Sequence, residues 1–476
     1  MPIDMDSHDS GTYMAGCGVV LPPAFVERVR SEASVDGCAL LTALGGSPAV
    51  GVRLNAEKPG ELPEWMDAAE PVPWCEGGFW LASRPEFTLA PALHQGGLYV
   101  QDPSSMVLRH IVGECTADRR PVTVLDLCAA PGGKSTAALA ALPAGSVLVS
   151  NEVMPPRAAV LAENITKWGS PGSVVTSAQA ERLGAMGAAF DIIILDAPCS
   201  GEGMMRKDSK AVTQWSPGLV ESCARLQRQI ADAVLPALRS GGTLIYSTCT
   251  FSRQENEEMV HYLMDTCGME SIDLGLERFG VAVGWSDRAH TYRFMPHVTR
   301  GEGLFVAALR LPEAVSAVSQ PRGGKRTAGR KGSKPALSAS SLPQWLSGQS
   351  AYDAVPAGEG IRLVPREATR LVSQLAESGV RLLAAGVEFG TQKGRDLVPG
   401  HGLAMSTALR QDAFPDVPLE YGQALDYLRR ENIPLPSGTP RGYVTVSYGG
   451  RCLGFMKNIG NRANNLYPQA WRIRNL

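Results

Sequence analysis

A chain of 476 residues, 44% hydrophobic and 19% charged, has the composition of a globular protein and the length for two to four domains. No window approaches ~18 uninterrupted apolar residues, which argues against a transmembrane helix. A formal net charge of -2 and a pI near 6.4 exclude a generic polyanion binder, so any contact with nucleic acid must come from local patches. The 10 Cys show neither the density of a disulfide scaffold nor paired C-x-x-C zinc spacing, which fits a reducing, cytosolic compartment and no metal site.

Residues 1–18 carry Asp4, Asp6 and Asp9 without a basic residue. They read as a disordered extension and not as a signal or transit peptide. Residues 19–94 read as a small accessory domain. A helix opens at Leu21-Pro22-Pro23-Ala24-Phe25, and Pro71-Val72-Pro73-Trp74-Cys75 forms an extended loop. Gly97 to Met106 then makes a strand-to-helix junction, with Asp102 or Ser104 as the N-cap.

The core begins with the buried-strand run Val122 to Leu127, followed by Cys128-Ala129-Ala130-Pro131-Gly132-Gly133-Lys134-Ser135-Thr136. Gly133-Lys134-Ser135 mimics the end of a P-loop, but the glycine such a loop needs at position 128 is Cys. The small residues instead let backbone approach a ligand at a helix N-terminus. Strand Val147 to Asn151 ends in Glu152, roughly 20 residues beyond that turn, where an acid typically holds ribose hydroxyls. A solvated loop carboxylate is the plainer alternative.

A helix from Pro155 to Trp168 and a strand Ser173 to Thr176 come next. The run Ile192 to Leu195 then delivers Asp196-Ala197-Pro198-Cys199-Ser200-Gly201. After a helix around Ser222 to Leu238, the run Thr243 to Tyr246 delivers Ser247-Thr248-Cys249-Thr250. Glu255-Asn256-Glu257-Glu258 opens a helix with acids in its first turn. Thr291 to Pro296 and Gly303 to Ala308 read as an antiparallel pair. Alternating strands and helices make residues 95–312 a doubly wound, Rossmann-like α/β domain. In such a sheet chemistry lies at the carboxyl ends of strands, so Cys199 and Cys249 face one crevice. Each alone could be an inert core thiol, and a disulfide between them is a third reading.

Residues 313–342 form a flexible basic linker with Arg322, Lys325, Arg326, Arg330, Lys331 and Lys334. In the C-terminal segment 343–476, Arg362 to Leu383 reads as one or two helices and Gly386 to Ala404 as turn-rich. Gly442 to Arg451 alternates as a β-hairpin with a Gly-Gly turn. No acid follows Asn432, while Arg441, Arg451, Lys457, Arg462, Arg472 and Arg474 are spread among Tyr443, Tyr448, Phe455, Tyr467 and Trp471. Most of these aromatics are expected in a small core, with Tyr448 or Tyr467 left for stacking on bases.

Three motifs carry a resemblance: Asp126 to Lys134, Asp196 to Gly201, and Ser247-Thr248-Cys249-Thr250. The chain resembles the bacterial RNA (cytosine-5)-methyltransferases, which use S-adenosylmethionine. Gln101 to Met106 and Arg293 to His297 match flanking elements of that family. Within it, Pro73-Trp74-Cys75-Glu76, Gly201 to Asp208 and Asn458-Ile459-Gly460-Asn461-Arg462 are similar to the small-subunit ribosomal RNA methyltransferase F group. The resemblance implies Cys249 as the nucleophile at carbon 6 of cytosine and Cys199 as the thiol that assists product release. It implies Asp196 at cytosine N3 and Lys134 beside it. The cofactor pocket would comprise Cys128, Ala129, Ala130, Pro131, Gly132, Gly133, Lys134 and Asp196, with Glu152 on the ribose. Gln179 stands where many relatives carry Asp near the adenine, and Arg157 is a candidate for a supporting or RNA contact.

Carbon 5 of cytosine is a weak nucleophile, and thiolate addition at carbon 6 makes it an enamine carbon. The target base must leave its stack to reach a thiol. The implied substrate is 16S ribosomal RNA, bound by the N-terminal domain and a PUA-like module, and the implied protein is a cytoplasmic monomer without membrane contact. Methylation of tRNA by the same chemistry, and a non-catalytic RNA-binding assembly factor, are the alternatives.

Overall fold

The computed structural model describes residues 12–32, 34–313 and 338–474. Most of the 1–18 extension and of the 313–342 linker, including its six basic residues, lies outside the described residues. The chain forms two compact units. The first comprises Met1–Ala49, Ala197–Gln229 and Tyr246–Ala308, and the second Val50–Asp196, Ile230–Ile245 and Leu309–Leu476. The principal strands are β1 (Thr123–Asp126), β2 (Val147–Asn151), β3 (Ser173–Ser177), β4 (Phe190–Asp196), β5 (Leu238–Thr248), β6 (Ala282–Val283), β7 (Tyr292–Phe294), β8 (Leu304–Arg310) and β9 (Arg381–Ala385).

In the second unit the strand order is β5-β4-β1-β2-β3-β9. Strands β4, β1, β2 and β3 run parallel, with Asp126 level with Ile194 and Ser150. Their sequences are near-continuous apolar runs because both faces are covered; all five residues of β2 are buried. The helix Pro155–Trp168 connects β2 to β3, starting with proline and ending at Gly169 with φ 86°. The strand order reverses between β1 and β4, whose last residues are Asp126 and Asp196. Ligands of open α/β sheets bind beyond the carboxyl ends at such a reversal.

The segment read as one or two helices from Arg362 to Leu383 is instead a strand, a helix and a strand: Gly360–Pro365, Arg366–Glu377 and β9. Its apolar runs are too short for a helix, and the helical period is confined to the middle. Strand β9 pairs antiparallel with β3, with a register shift between Leu382 and Ala384. The stretch read as turn-rich contains strands Val387–Lys393 and Asp396–Pro399 and helix His401–Met405. The hairpin expected near Gly442 is present, its turn made by Gly449 and Gly450 at φ 54° and 79°, as a two-residue turn with two positive φ angles requires. At the earlier junction Asp102 is the capping side chain, accepting the Ser105 N–H at 3.1 Å. Among the described residues no helix is long and apolar enough to cross a membrane.

The first unit contains the end of β5, followed in order by β8, β7 and β6. The expected antiparallel pair is β7 with β8. Its core packs Phe25, Leu41, Leu44, Met205, Trp215 and Phe251, with Phe25 edge-on to Trp215 at 5.5 Å. Below it Arg293 forks onto Glu257, with 1% and 3% of the two side chains exposed. The same guanidinium lies 3.5 Å from the Trp285 ring centroid. Removing one partner of a buried pair strands the other charge. Arg293→Met is therefore expected to cost ~3–5 kcal/mol in urea unfolding, and adding Glu257→Gln to recover much of that loss. A single-variant cost below ~1 kcal/mol would contradict this account.

Candidate active site

Both cysteines singled out in the sequence belong to the first unit, each just past a strand end. Strand β5 is buried through Thr243–Thr248, and Cys249 emerges half-buried beyond it. The Ala197 N–H still bonds to Ser247 O at 2.9 Å, after which Pro198, lacking an N–H, leaves the ladder. Gly201 then turns the chain at φ 73°. The result places Cys199 Sγ 3.3 Å from Cys249 Sγ. That is beyond a ~2.05 Å disulfide bond, and neither cysteine is in a disulfide. The contact with Cys249, burial, and the negative field of Glu255 push Cys199 well above the ordinary thiol value. Either sulfur can be the donor in that contact.

The loop carrying Cys249 is held from three sides. Asn256 brackets it: Thr248 Oγ1 donates to Asn256 Oδ1 at 2.6 Å, and Asn256 Nδ2 donates to Thr250 O at 2.9 Å. The Gly203 N–H donates to Cys249 O at 2.8 Å, and a Cβ at Gly203 would come within 3.0 Å of that oxygen, so this approach needs glycine. Glu202 Oε2 accepts the Phe251 N–H at 3.0 Å, while Oε1 takes Arg28 and the Trp215 indole N–H. The string Gly201 to Asp208 thereby acts as a clamp on the Cys249 loop. Glu255 accepts from the Ser200 N–H and hydroxyl and from Gln227. Glu255 and Glu257, read from sequence as first-turn acids, are buried and engaged by Ser200 and Arg293. Sequence reasoning missed Asn256, Gln227 and the part played by Glu255. The signal for Glu255 and Asn256 was a polar pair between a strand end and a helix, whereas Gln227 lies inside helix Pro217–Val234.

The remaining predicted site residues belong to the second unit. Gly132 is the N-cap of helix Gly133–Leu139 at φ 115°. The Ala129 N–H bonds to Asn151 O at 2.8 Å. Asn151 joins three strand ends, donating to Leu127 O and Ala178 O and accepting from Thr176 and the Ala178 N–H; it too was missed. Lys134 Nζ lies 2.8 Å from Asp196 Oδ2. Glu152 is buried, bonded to the Met154 N–H and 3.3 Å from Arg157, which also donates to Ala130 O. Gln179 is exposed at the start of helix Ala180–Gly184 and makes no capping bond there. Burial first, then the fields of Asp196, Asp126 and Glu152, pushes the Cys128 thiol upward. Cys128 is thus a neutral thiol facing three carboxylates. Asp126 accepts Ser135 Oγ on Oδ2, while its buried Oδ1 has no hydrogen-bond partner among the described residues. An orphan acceptor among converging carboxylates beside a glycine turn fits a ligand bearing a cationic group and hydroxyl donors.

Among the C-terminal aromatics, Tyr467 is not available for stacking. It is 1% exposed and packs edge-on against His401 and Tyr427, because the hydrophobic strand pair needs a lid. Phe455 is equally buried. Tyr448 is half-buried beside exposed Tyr421 at 6.1 Å. Asn461 and Arg462 are exposed in the turn after the hairpin.

Burial, above all, lifts the Asp126 carboxyl to about 7, with Asp196 and Glu152 adding and Ser135 and Lys134 opposing. A raised carboxyl stabilises the fold fully below its unfolded value and loses that contribution as pH rises through the folded one. Asp126→Asn is therefore expected to flatten part of the fall in unfolding free energy between roughly pH 4 and 7. Urea titrations across that window check it; an unchanged slope would refute the assignment.

Residues 117–310 match the family described as 16S rRNA methyltransferase RsmB/F. Residues 21–103 match the N-terminal domain of 16S rRNA methyltransferase RsmF, and residues 414–473 the methyltransferase RsmF PUA domain. The chain is 32% identical over 419 residues to the ribosomal RNA small subunit methyltransferase F of Shewanella loihica, covering 84% of this chain and 83% of that one. It is 32% identical over 411 residues to the protein of the same name from Klebsiella pneumoniae, covering 84% of each. In fold it is similar to a methyltransferase homolog from Pyrococcus horikoshii, with a TM-score of 0.51 at 24% identity over 60% of this chain and 94% of that one. NSun6 from the same organism gives a TM-score of 0.51 at 20% identity over 62% and 99%. The chain belongs to the 16S rRNA methyltransferase RsmB/F family, among the relatives named ribosomal RNA small subunit methyltransferase F.

Proposed function

We propose that this protein methylates carbon 5 of cytosine in 16S ribosomal RNA, with Cys249 as the covalent nucleophile. The observation that carries the reading is the pair of thiols 3.3 Å apart past two strand ends, neither of them in a disulfide. S-adenosylmethionine supplies an electrophilic methyl group on a sulfonium. Asp126, Glu152 and the backbone from Cys128 to Gly133 are the residues proposed to hold it, with Gln179 toward the adenine. The carboxylates suit its ammonium and sulfonium charges and its ribose hydroxyls.

The Cys249 thiolate adds to carbon 6 of an unstacked cytosine, and the displaced π electrons move toward N3. Asp196, with Lys134 beside it, places a proton or hydrogen bond at N3, so negative charge does not build up on the ring. Carbon 5, now an enamine carbon, takes the methyl group. Its proton then leaves, the electrons of that C–H bond restore the ring double bond, and the bond from sulfur to carbon 6 breaks. Cys199 belongs to this second half. Its S–H proton passes to the departing Cys249 sulfur, the thiolate so formed takes the carbon-5 proton, and the N3 proton returns to Asp196. Two thiols divide addition from elimination, the two steps into which covalent catalysis splits the transfer.

The proposed domain assignment follows: an RNA-binding region at 19–94, the methyltransferase domain at 95–312 and an RNA-binding segment at 343–476 with a PUA-like end. The exposed Arg441, Arg462, Arg472 and Arg474 supply phosphate contacts, whereas Arg451, counted among the basic residues in the sequence, is buried with its guanidinium on the carbonyls of Lys58, Gly60 and Glu61.

Methyl transfer from labelled S-adenosylmethionine, offered separately unmodified small subunits, naked 16S rRNA and tRNA, tests the substrate. Label confined to tRNA would replace the rRNA reading, and no label anywhere would end the catalytic one. Cys249→Ala is expected to lower turnover by more than ~10³-fold and to form no covalent RNA adduct. Cys199→Ala is expected to stop turnover while accumulating a denaturant-resistant protein–RNA adduct, seen as a shifted band on a denaturing gel. Normal product release by Cys199→Ala would overturn the division of roles.

A further inference from the structure

Glu255 stands immediately before Asn256, the N-cap of helix Glu257–Cys267. Its Oε2 accepts the Ser200 N–H at 2.9 Å and Gln227 Nε2 at 3.0 Å, and its Oε1 meets Ser200 Oγ at 2.5 Å. Ser200 Oγ continues to Thr250 Oγ1 at 2.9 Å, and Thr250 Oγ1 accepts the Ser252 N–H at 3.3 Å. Ser200 follows Cys199 and Thr250 follows Cys249, so one buried carboxyl is connected to both cysteine loops. The connection is reinforced from behind. Gln227 also donates to Pro198 O at 2.9 Å, and the Tyr246 hydroxyl donates to Glu255 O at 2.6 Å.

We propose that Glu255 is a positioning residue of the two-thiol site: through Ser200 it fixes the separation of the two sulfurs, and its charge state sets the direction of the Ser200–Thr250 hydroxyl chain. The direction follows from counting donors and acceptors. With the carboxyl ionised, Ser200 donates to Oε1, so Thr250 must donate to Ser200. With the carboxyl neutral, its own proton on Oε1 goes to Ser200 Oγ, and the Ser200 proton turns toward Thr250. Oε2 keeps both its donors in either state, so the loops stay attached while the chain reverses.

Burial, ahead of every other cause, lifts the Glu255 carboxyl to about 7, with Glu202 adding and the bonds from Ser200 and Gln227 opposing. Both arrangements are therefore populated near neutrality. The titratable groups facing it are Glu202, Cys199 with its partner Cys249, and Cys223 of helix Pro217–Val234. The ionised carboxyl raises both Cys199 and Cys223. Ionised Glu255 thus disfavours a thiolate at Cys199, and neutral Glu255 relieves that opposition. The consequence for turnover rests on the methyltransferase reading, whereas the consequence for the thiols does not.

The test uses the full chain and Glu255→Gln. At the Oε2 position two donors converge, so the amide oxygen takes that place and the amide NH2 donates to Ser200 Oγ, which mimics the neutral acid. Both proteins are alkylated with iodoacetamide from roughly pH 5 to 9, and Cys199 and Cys249 are followed as separate peptides by mass spectrometry. In Glu255→Gln the inflection near neutrality is expected to vanish, and Cys199 to react ~3–10-fold faster at pH 8 because the carboxylate field is gone. Superimposable profiles would overturn the proposal. In methyl transfer, the step near neutrality in the pH profile of kcat is expected to disappear in Glu255→Gln while KM for RNA and cofactor stays within ~2-fold. If Glu255→Gln does not accumulate as folded protein, Ser200→Ala carries the same test by cutting Thr250 from the carboxyl, and an unchanged kcat would then overturn the role. A wild type that labels no RNA ends the functional reading, and the alkylation profile still decides the role of Glu255.

Discussion

A buried carboxylate accepting a loop N–H is the interaction on which the first unit depends. It recurs four times. Glu202 takes the N–H of Phe251, Glu255 that of Ser200, Glu257 that of Trp285 and Glu302 that of Ala49. None of the four acids is more than 2% exposed. A carboxylate at that depth is costly unless its acceptor sites are filled. Here each is filled by a guanidinium, an indole, a hydroxyl or an amide besides the backbone: Arg28 and Trp215, Ser200 and Gln227, Arg293, and Arg206. Loops leaving strand ends have N–H groups that no ladder satisfies. Apolar packing could fill the space around them but could not satisfy those donors. Two of the four acids, Glu255 and Glu202, hold the loops that carry Cys199 and Cys249.

The second unit solves a different problem. The carboxylates of Asp126, Glu152 and Asp196 all act on the Cys128 thiol, and one oxygen of Asp126 has no hydrogen-bond partner among the described residues. Where the first unit spends its acids on internal donors, the second holds acceptor capacity in reserve. Asn151 keeps the three neighbouring strand ends in register without adding charge. One set of acids is tied to internal donors and the other acts on a single thiol, and burial raises Glu255 and Asp126 alike to about 7.

The sequence was most informative where local chemistry and periodicity coincide. The apolar runs ending at Asp126, Asp196 and Thr248 are strands because parallel, doubly covered strands must be apolar throughout. Gly132 betrays its turn because the backbone there needs a positive φ. Cys199 and Cys249 were legible as strand-end thiols, although their 3.3 Å contact was not. What escaped notice depends on partners distant in sequence. Glu255 looks like an ordinary helix-start acid until Ser200 is seen against it, and Tyr467 looks like a free aromatic until His401 and Tyr427 enclose it. Strand β9 escaped because five residues of moderate hydrophobicity carry no period, and only the open edge of β3 tells them what to become.

That late strand has a consequence during synthesis. Strand β3 is complete at Ser177, yet its antiparallel neighbour begins at Arg381. Roughly 200 residues must still be translated in between, which at ~5–20 residues per second leaves the β3 edge bare for on the order of ten seconds or more. An unpaired edge next to a buried sheet is a template for pairing with another chain. The nascent protein therefore passes through a window in which ribosome-bound copies on one message could pair strand to strand. The register shift at Leu382 puts a bend in the strand that finally closes it.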